Sequence, residues 1–131
     1  MKRLFVILFT LTLALSLCGC AKTNIGPAED VFLTFVYEGT NINVTLEGEE
    51  AEIVMAILDG NRYHPLWAGV PSCGFDPNIS IKVGNQIFAI ACDNCNFVQD
   101  FHNQRYFDIT QKEMEQVRSM FEKYGGHFPC V

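Results

Sequence analysis

Basic residues are few in this chain of 131 residues: nine Lys and Arg stand against 15 Asp and Glu, a net charge of −6. Nucleic-acid binding relies on clustered cations that displace counterions, and this balance argues against it. Charge of either sign is scarce, at 18% against roughly 25% in average proteins. With 49% hydrophobic and 12% aromatic residues, a disordered chain is excluded. The apolar run at the N-terminus, residues 4–17, is 14 residues long, short of the roughly 20 that a membrane-spanning helix needs. The sequence holds no G-x-S-x-G, H-E-x-x-H, P-loop or G-x-G-x-x-G, so none of these enzyme classes is marked. Asp76, Asp93, Asp100 and Asp108 are scattered and form no calcium-loop pattern. The acidic group Glu47, Glu49, Glu50 and Glu52 reads as a helix start.

What is there begins with an address. Lys2 and Arg3 precede the uncharged run, the layout of a secretory signal. Leu17-Cys18-Gly19-Cys20 follows and resembles the lipobox of bacterial lipoproteins, an aliphatic residue and two small residues before a cysteine. The resemblance implies that Leu17, Cys18 and Gly19 are recognised by a signal peptidase and that Cys20 carries a diacylglyceryl group. One acyl chain anchors only marginally and two hold firmly, so a domain so modified stays on the extracytoplasmic face of the cell membrane. Residues 1–19 are then signal peptide, 20–30 a short lipid-anchored tether containing Gly26 and Pro27, and 31–131 a single globular domain. Loss of Lys2 and Arg3 leaves seven basic against 15 acidic residues, a charge of −8; anionic headgroups would repel such a surface, so the lipid, not the surface, is expected to hold the domain there.

Within the domain, alternation at residues 31–37 and 42–46 around Glu38-Gly39-Thr40-Asn41 predicts a hairpin pairing 37 with 42, 35 with 44 and 33 with 46. A helix with the stripe Ala51, Val54, Ile57 and Leu58 follows, stopped at Asp59-Gly60-Asn61. Gly84-Asn85 turns a second hairpin, setting Ile81 against Phe88 and Ile79 against Ile90. Residues 103–109 read as a further strand. Thr110-Gln111-Lys112-Glu113 is a capping box, opening a helix with Met114, Val117, Phe121 and Tyr124 on one side. The expected fold class is α+β, an antiparallel sheet built from hairpins with two amphipathic helices packed on it. The ending, Lys123-Tyr124-Gly125-Gly126 and then Phe128-Pro129-Cys130, resembles small bacterial lipoproteins with the same strand-then-helix close; it implies a shared fold and no activity.

The lipobox resemblance places Cys73, Cys92, Cys95 and Cys130 outside the membrane, and two disulfides are expected there. Extending the second hairpin brings Cys73 near Cys95, and Cys130 would staple the C-terminus to the sheet. The alternatives are zinc held by the same four thiolates, since Cys92-x-x-Cys95 has knuckle spacing, and a thiol-redox pair at Cys92 and Cys95, although adjacent Asp93 disfavours a reactive thiolate.

Residues 61–77 carry three prolines and two glycines yet also Tyr63, Phe75 and Trp67, the sole tryptophan. A loop this long in a small domain is either a binding loop or a lid folded back on the core. These observations point to a membrane-anchored binding or interaction module for a protein or small-molecule partner. The alternative is a metal-binding or thiol-redox protein.

Overall fold

The computed structural model describes residues 21–27 and 30–125. The signal-peptide residues, including Leu17, Cys18 and Gly19, lie outside the described residues, as do Cys20 and Cys130. The fold is α+β: a six-stranded sheet and two helices. The strands are β1 (Val31–Tyr37), β2 (Thr40–Leu46), β3 (Phe75–Val83), β4 (Gln86–Ala91), β5 (Phe97–Asp100) and β6 (Arg105–Asp108). Their order across the sheet is β2-β1-β3-β4-β5-β6, with antiparallel neighbours throughout. Helix α1 (Gly48–Leu58) follows β2, and α2 (Gln111–Gly125) follows β6.

The turn joining β1 to β2 is tighter than its composition suggests. Glu38 and Gly39 both have positive φ, 48° and 78°, the two-residue geometry that matches strand twist. Tyr37 therefore pairs with Thr40, Phe35 with Ile42 and Leu33 with Val44. This corrects the expected pairing by two residues. A two-residue slip preserves parity, so the same side chains still share a face.

Beyond Gly84-Asn85, Ile81 pairs with Phe88 as expected, but the register shifts between Phe75 and Ser80. Pro77 lies inside that stretch and has no N–H for the ladder. The Asp76 carboxylate accepts instead from the Asn78 backbone N–H at 2.8 Å and its amide at 3.0 Å. The expected Ile79–Ile90 pairing falls within this irregular stretch.

One face of the sheet is apolar. Val31, Leu33, Phe35, Ile81, Phe88, Val98 and Phe107 are buried there and share a hydrophobic cluster with Val54, Ile57 and Leu58 of α1 and Met114, Val117 and Phe121 of α2. Phe121 meets Phe35 edge-on at 5.8 Å. Gly125 closes α2 against the same ring: a Cβ at this position would stand 2.7 Å from Phe35 Cε2. The N-terminus of α2 is capped reciprocally. The Thr110 N–H donates to the Glu113 carboxylate at 2.7 Å, and the Glu113 N–H donates to Thr110 Oγ1 at 3.2 Å. The helices are tied by Glu50, whose carboxylate accepts from Lys123 Nζ at 2.8 Å and the Tyr124 hydroxyl at 2.7 Å. The Lys123 and Tyr124 hydrogen bonds hold the Glu50 carboxyl below its ordinary pKa.

The N-terminal residues, read above as tether, lie against the domain. Lys22 forms an antiparallel bridge with Arg62. The Thr23 N–H donates to Asn61 O at 2.8 Å and the Tyr63 N–H to Ala21 O at 3.1 Å. Ile25 donates its N–H to Asp59 Oδ1 at 2.9 Å, and its side chain joins the core. On the other side of the same segment, the His64 N–H donates to Tyr106 O at 2.7 Å. Residues 61–64 thus run between residues 21–23 and β6, covering what would otherwise be an open sheet edge.

Candidate functional site

The loop between α1 and β3 is built in three parts with different fates for its aromatics. At its base, extended backbone alternates side chains to opposite faces. Tyr63 turns inward, 6% exposed, and its ring meets Phe107 edge-on at 6.0 Å. Its hydroxyl donates to Asp100 Oδ2 at 2.5 Å. Asp100 is fully buried and also accepts from the Asn103 amide at 2.7 Å and from the backbone N–H groups of His102 and Asn103 at 2.9 and 3.1 Å. A buried carboxylate needs such a set of donors. Burial, and then the Asp100 hydrogen bond, raise the Tyr63 phenol well above its ordinary pKa, so it stays a neutral donor. Arg105 lies over the Tyr63 ring at 4.9 Å and donates to His64 O at 2.7 Å. The chemistry of this cluster is that of a clamp: it fixes the loop base to the β5–β6 turn.

His64 turns to the other face. Its Nε2 lies 2.6 Å from Asp108 Oδ2, and its ring meets Phe97 edge-on at 5.3 Å. A short 3-10 turn, Leu66–Ala68, forms the tip. Pro65 enters it with its ring-fixed φ of −63°, and Gly69 leaves it with φ 77°, a conformation that favours glycine. These two residues hold the tip away from the core: Leu66, Trp67 and Val70 are 82%, 86% and 76% exposed. Trp67 does not fold back as a lid. Phe75, which opens β3, is half-buried against Tyr106 at 5.6 Å. Tyr63, Trp67 and Phe75 therefore do not converge on one binding surface. The exposed apolar group is Leu66, Trp67 and Val70, and the first and last of these were not singled out by sequence reasoning. The signal for them was present in the alternation of proline and glycine around apolar residues.

The loop returns to the sheet through a disulfide between Cys73 and Cys95, with the Cα atoms 6.1 Å apart. Asp93 secures both sides of it, accepting from the Gly74 N–H at 3.2 Å and the Cys95 N–H at 3.0 Å. Cys92 is also disulfide-bonded, and its N–H donates to Gly74 O at 2.8 Å. Among the described residues, one group brings several metal-type donors together: Cys73, Asp93 and Cys95. Its two sulfurs are joined to each other, and the Cys92-x-x-Cys95 pair is not bonded to itself.

No family model, curated protein or solved structure matches the chain. No helix among the described residues is long and apolar enough to cross a membrane.

Proposed function

We propose that this chain is a bacterial lipoprotein, acylated at Cys20 and held on the extracytoplasmic face of the cell membrane, whose domain is a non-enzymatic interaction module. The observation that carries the reading is Leu17-Cys18-Gly19-Cys20 placed directly after a basic start and a short apolar run. The Cys73–Cys95 bridge supports it, because disulfides persist in oxidising compartments outside the cytoplasm. In this reading the domain is a sheet of hairpins with two amphipathic helices packed on it. Tyr63, Asp100 and Asn103 serve to brace a loop whose apolar tip is the contact surface. The Tyr63, Asp100 and Asn103 side chains hydrogen-bond to one another, a bracing arrangement that fits an interaction module.

Replacing Cys20 with Ala tests the reading in a producing bacterium. The variant should accumulate unprocessed or leave the membrane fraction. Normal processing and membrane retention of Cys20→Ala would contradict it.

A further inference from the structure

We infer that the tip formed by Leu66, Trp67 and Val70 is a second membrane contact that seats the domain on an anionic bilayer beside its own lipid anchor. The inference rests on acylation of Cys20 and names the occupant of the tip.

The first argument is reach. Cys20 is bonded directly to Ala21, and consecutive Cα atoms are about 3.8 Å apart. Ala21 O is already held by the Tyr63 N–H. Ala21 is thus fixed on the domain one residue from the proposed anchor, which sets the surface next to Ala21 near the headgroups.

The second argument is direction. Because the 22–62 bridge is antiparallel, the chain runs from Lys22 back to Ala21 in the same sense as it runs from Arg62 on to Tyr63. Ala21, the residue next to the proposed anchor, therefore lies toward the end from which the loop leaves Tyr63. A tethered pair of sites binds at high effective concentration, so a modest apolar tip is enough.

The third argument is charge. The segment from residue 60 to residue 75 has no Asp or Glu of its own, in a chain with 15 of them; the acidic side chains that hydrogen-bond to it are the buried Asp100, at Tyr63, Asp108, at His64, and Asp93, at Gly74. The hydrogen bonds from Thr23 to Asn61 and from Tyr63 to Ala21 flank the Lys22–Arg62 pair. That makes it the closely spaced, non-hydrogen-bonded kind of cross-strand pair, in which like charges repel. Both residues are exposed, and neither forms a salt bridge among the described residues. An anionic surface relieves this repulsion. Trp is the side chain that settles at the headgroup level, with neighbouring cations reaching for phosphates.

Trp67 is the chain's sole tryptophan, so its emission reports the tip alone. The protein purified from the membrane of a producing bacterium is reconstituted into phosphatidylethanolamine–phosphatidylglycerol vesicles containing brominated lipid, and the mass of its N-terminal peptide is taken on the same sample. The expected result is an acylated Cys20 together with blue-shifted Trp67 emission, quenched by brominated lipid and protected from acrylamide. Neutralisation by Lys22→Gln and Arg62→Gln should lower the docked-to-free ratio about fivefold per cation removed. An acylated Cys20 with red, acrylamide-open emission blind to brominated lipid overturns the tip contact and leaves the anchor standing. Blue emission blind to brominated lipid means a protein surface covers the tip, and also overturns it. An unmodified Cys20 removes the anchor itself, and the inference with it.

Discussion

Replacing Tyr63 with Phe removes one oxygen from the loop clamp and keeps the ring against Phe107. In the folded protein that oxygen donates to Asp100 and accepts from the Asn103 amide at 3.1 Å. Asp100 is fully buried, so the lost donor cannot be replaced by bulk water. A hydrogen bond to a charged group contributes about 1.5–3 kcal/mol, and three further donors to Asp100 remain. The expected loss is therefore about 2 kcal/mol near pH 7. Urea unfolding should show a lower midpoint at unchanged slope.

The pH dependence makes the test sharper. Burial raises the folded-state pKa of Tyr63 above its ordinary value of 10.0. Its stabilising effect is thus complete below pH 10 and falls as pH rises, because the unfolded chain releases the proton first. The wild type should lose up to about 1.4 kcal/mol per pH unit from this group above pH 10, and Tyr63→Phe should lack that component. The gap between the two proteins then narrows in alkali. A gap that is absent at pH 7, or that stays constant from pH 8 to beyond pH 10, would refute the clamp.

The Cys73–Cys95 bridge spans 22 residues of sequence. The double variant Cys73→Ala, Cys95→Ala should lose about 3 kcal/mol of unfolding free energy, and a nonreducing digest of the wild type should yield the 73–95 linked peptide. Gly125→Ala drives a methyl group into the Phe35 ring. Its cost should be about 1–3 kcal/mol, and the added variant Phe35→Leu should recover part of it in a double-mutant cycle. Thr110→Ala removes the side-chain half of the capping box and should cost about 1 kcal/mol, read from urea midpoints, with a smaller effect for Gln111→Ala.

Much of the sheet is legible in residue order because its apolar side is written with a period of two. Leu33, Phe35, Ile81 and Phe88 are recognisable on alternation alone. The first hairpin's register is not legible to the same degree. Choosing Glu38-Gly39 over Gly39-Thr40 as the turn requires a non-glycine residue at positive φ, which composition argues against. The fates of Tyr63 and Trp67 differ for reasons outside their own segment. Tyr63 is drawn inward by Asp100, 37 residues away, while Trp67 is held outward by Pro65 and Gly69. The docking of residues 21–25 is hidden for a similar reason. It relies on hydrogen bonds between Ala21, Thr23 and Ile25 and residues 59–63 and on one buried side chain, Ile25, with no repeating apolar pattern to mark it.

The apolar tip, the cation pair and the short reach from Ala21 acquire a common purpose when the chain starts at an acylated cysteine. The mass of the N-terminal peptide from protein taken from its native membrane tests this most directly. The account predicts a peptide beginning at Cys20 and carrying a diacylglyceryl group. A peptide beginning at Met1, with an unmodified thiol at position 20, would contradict it.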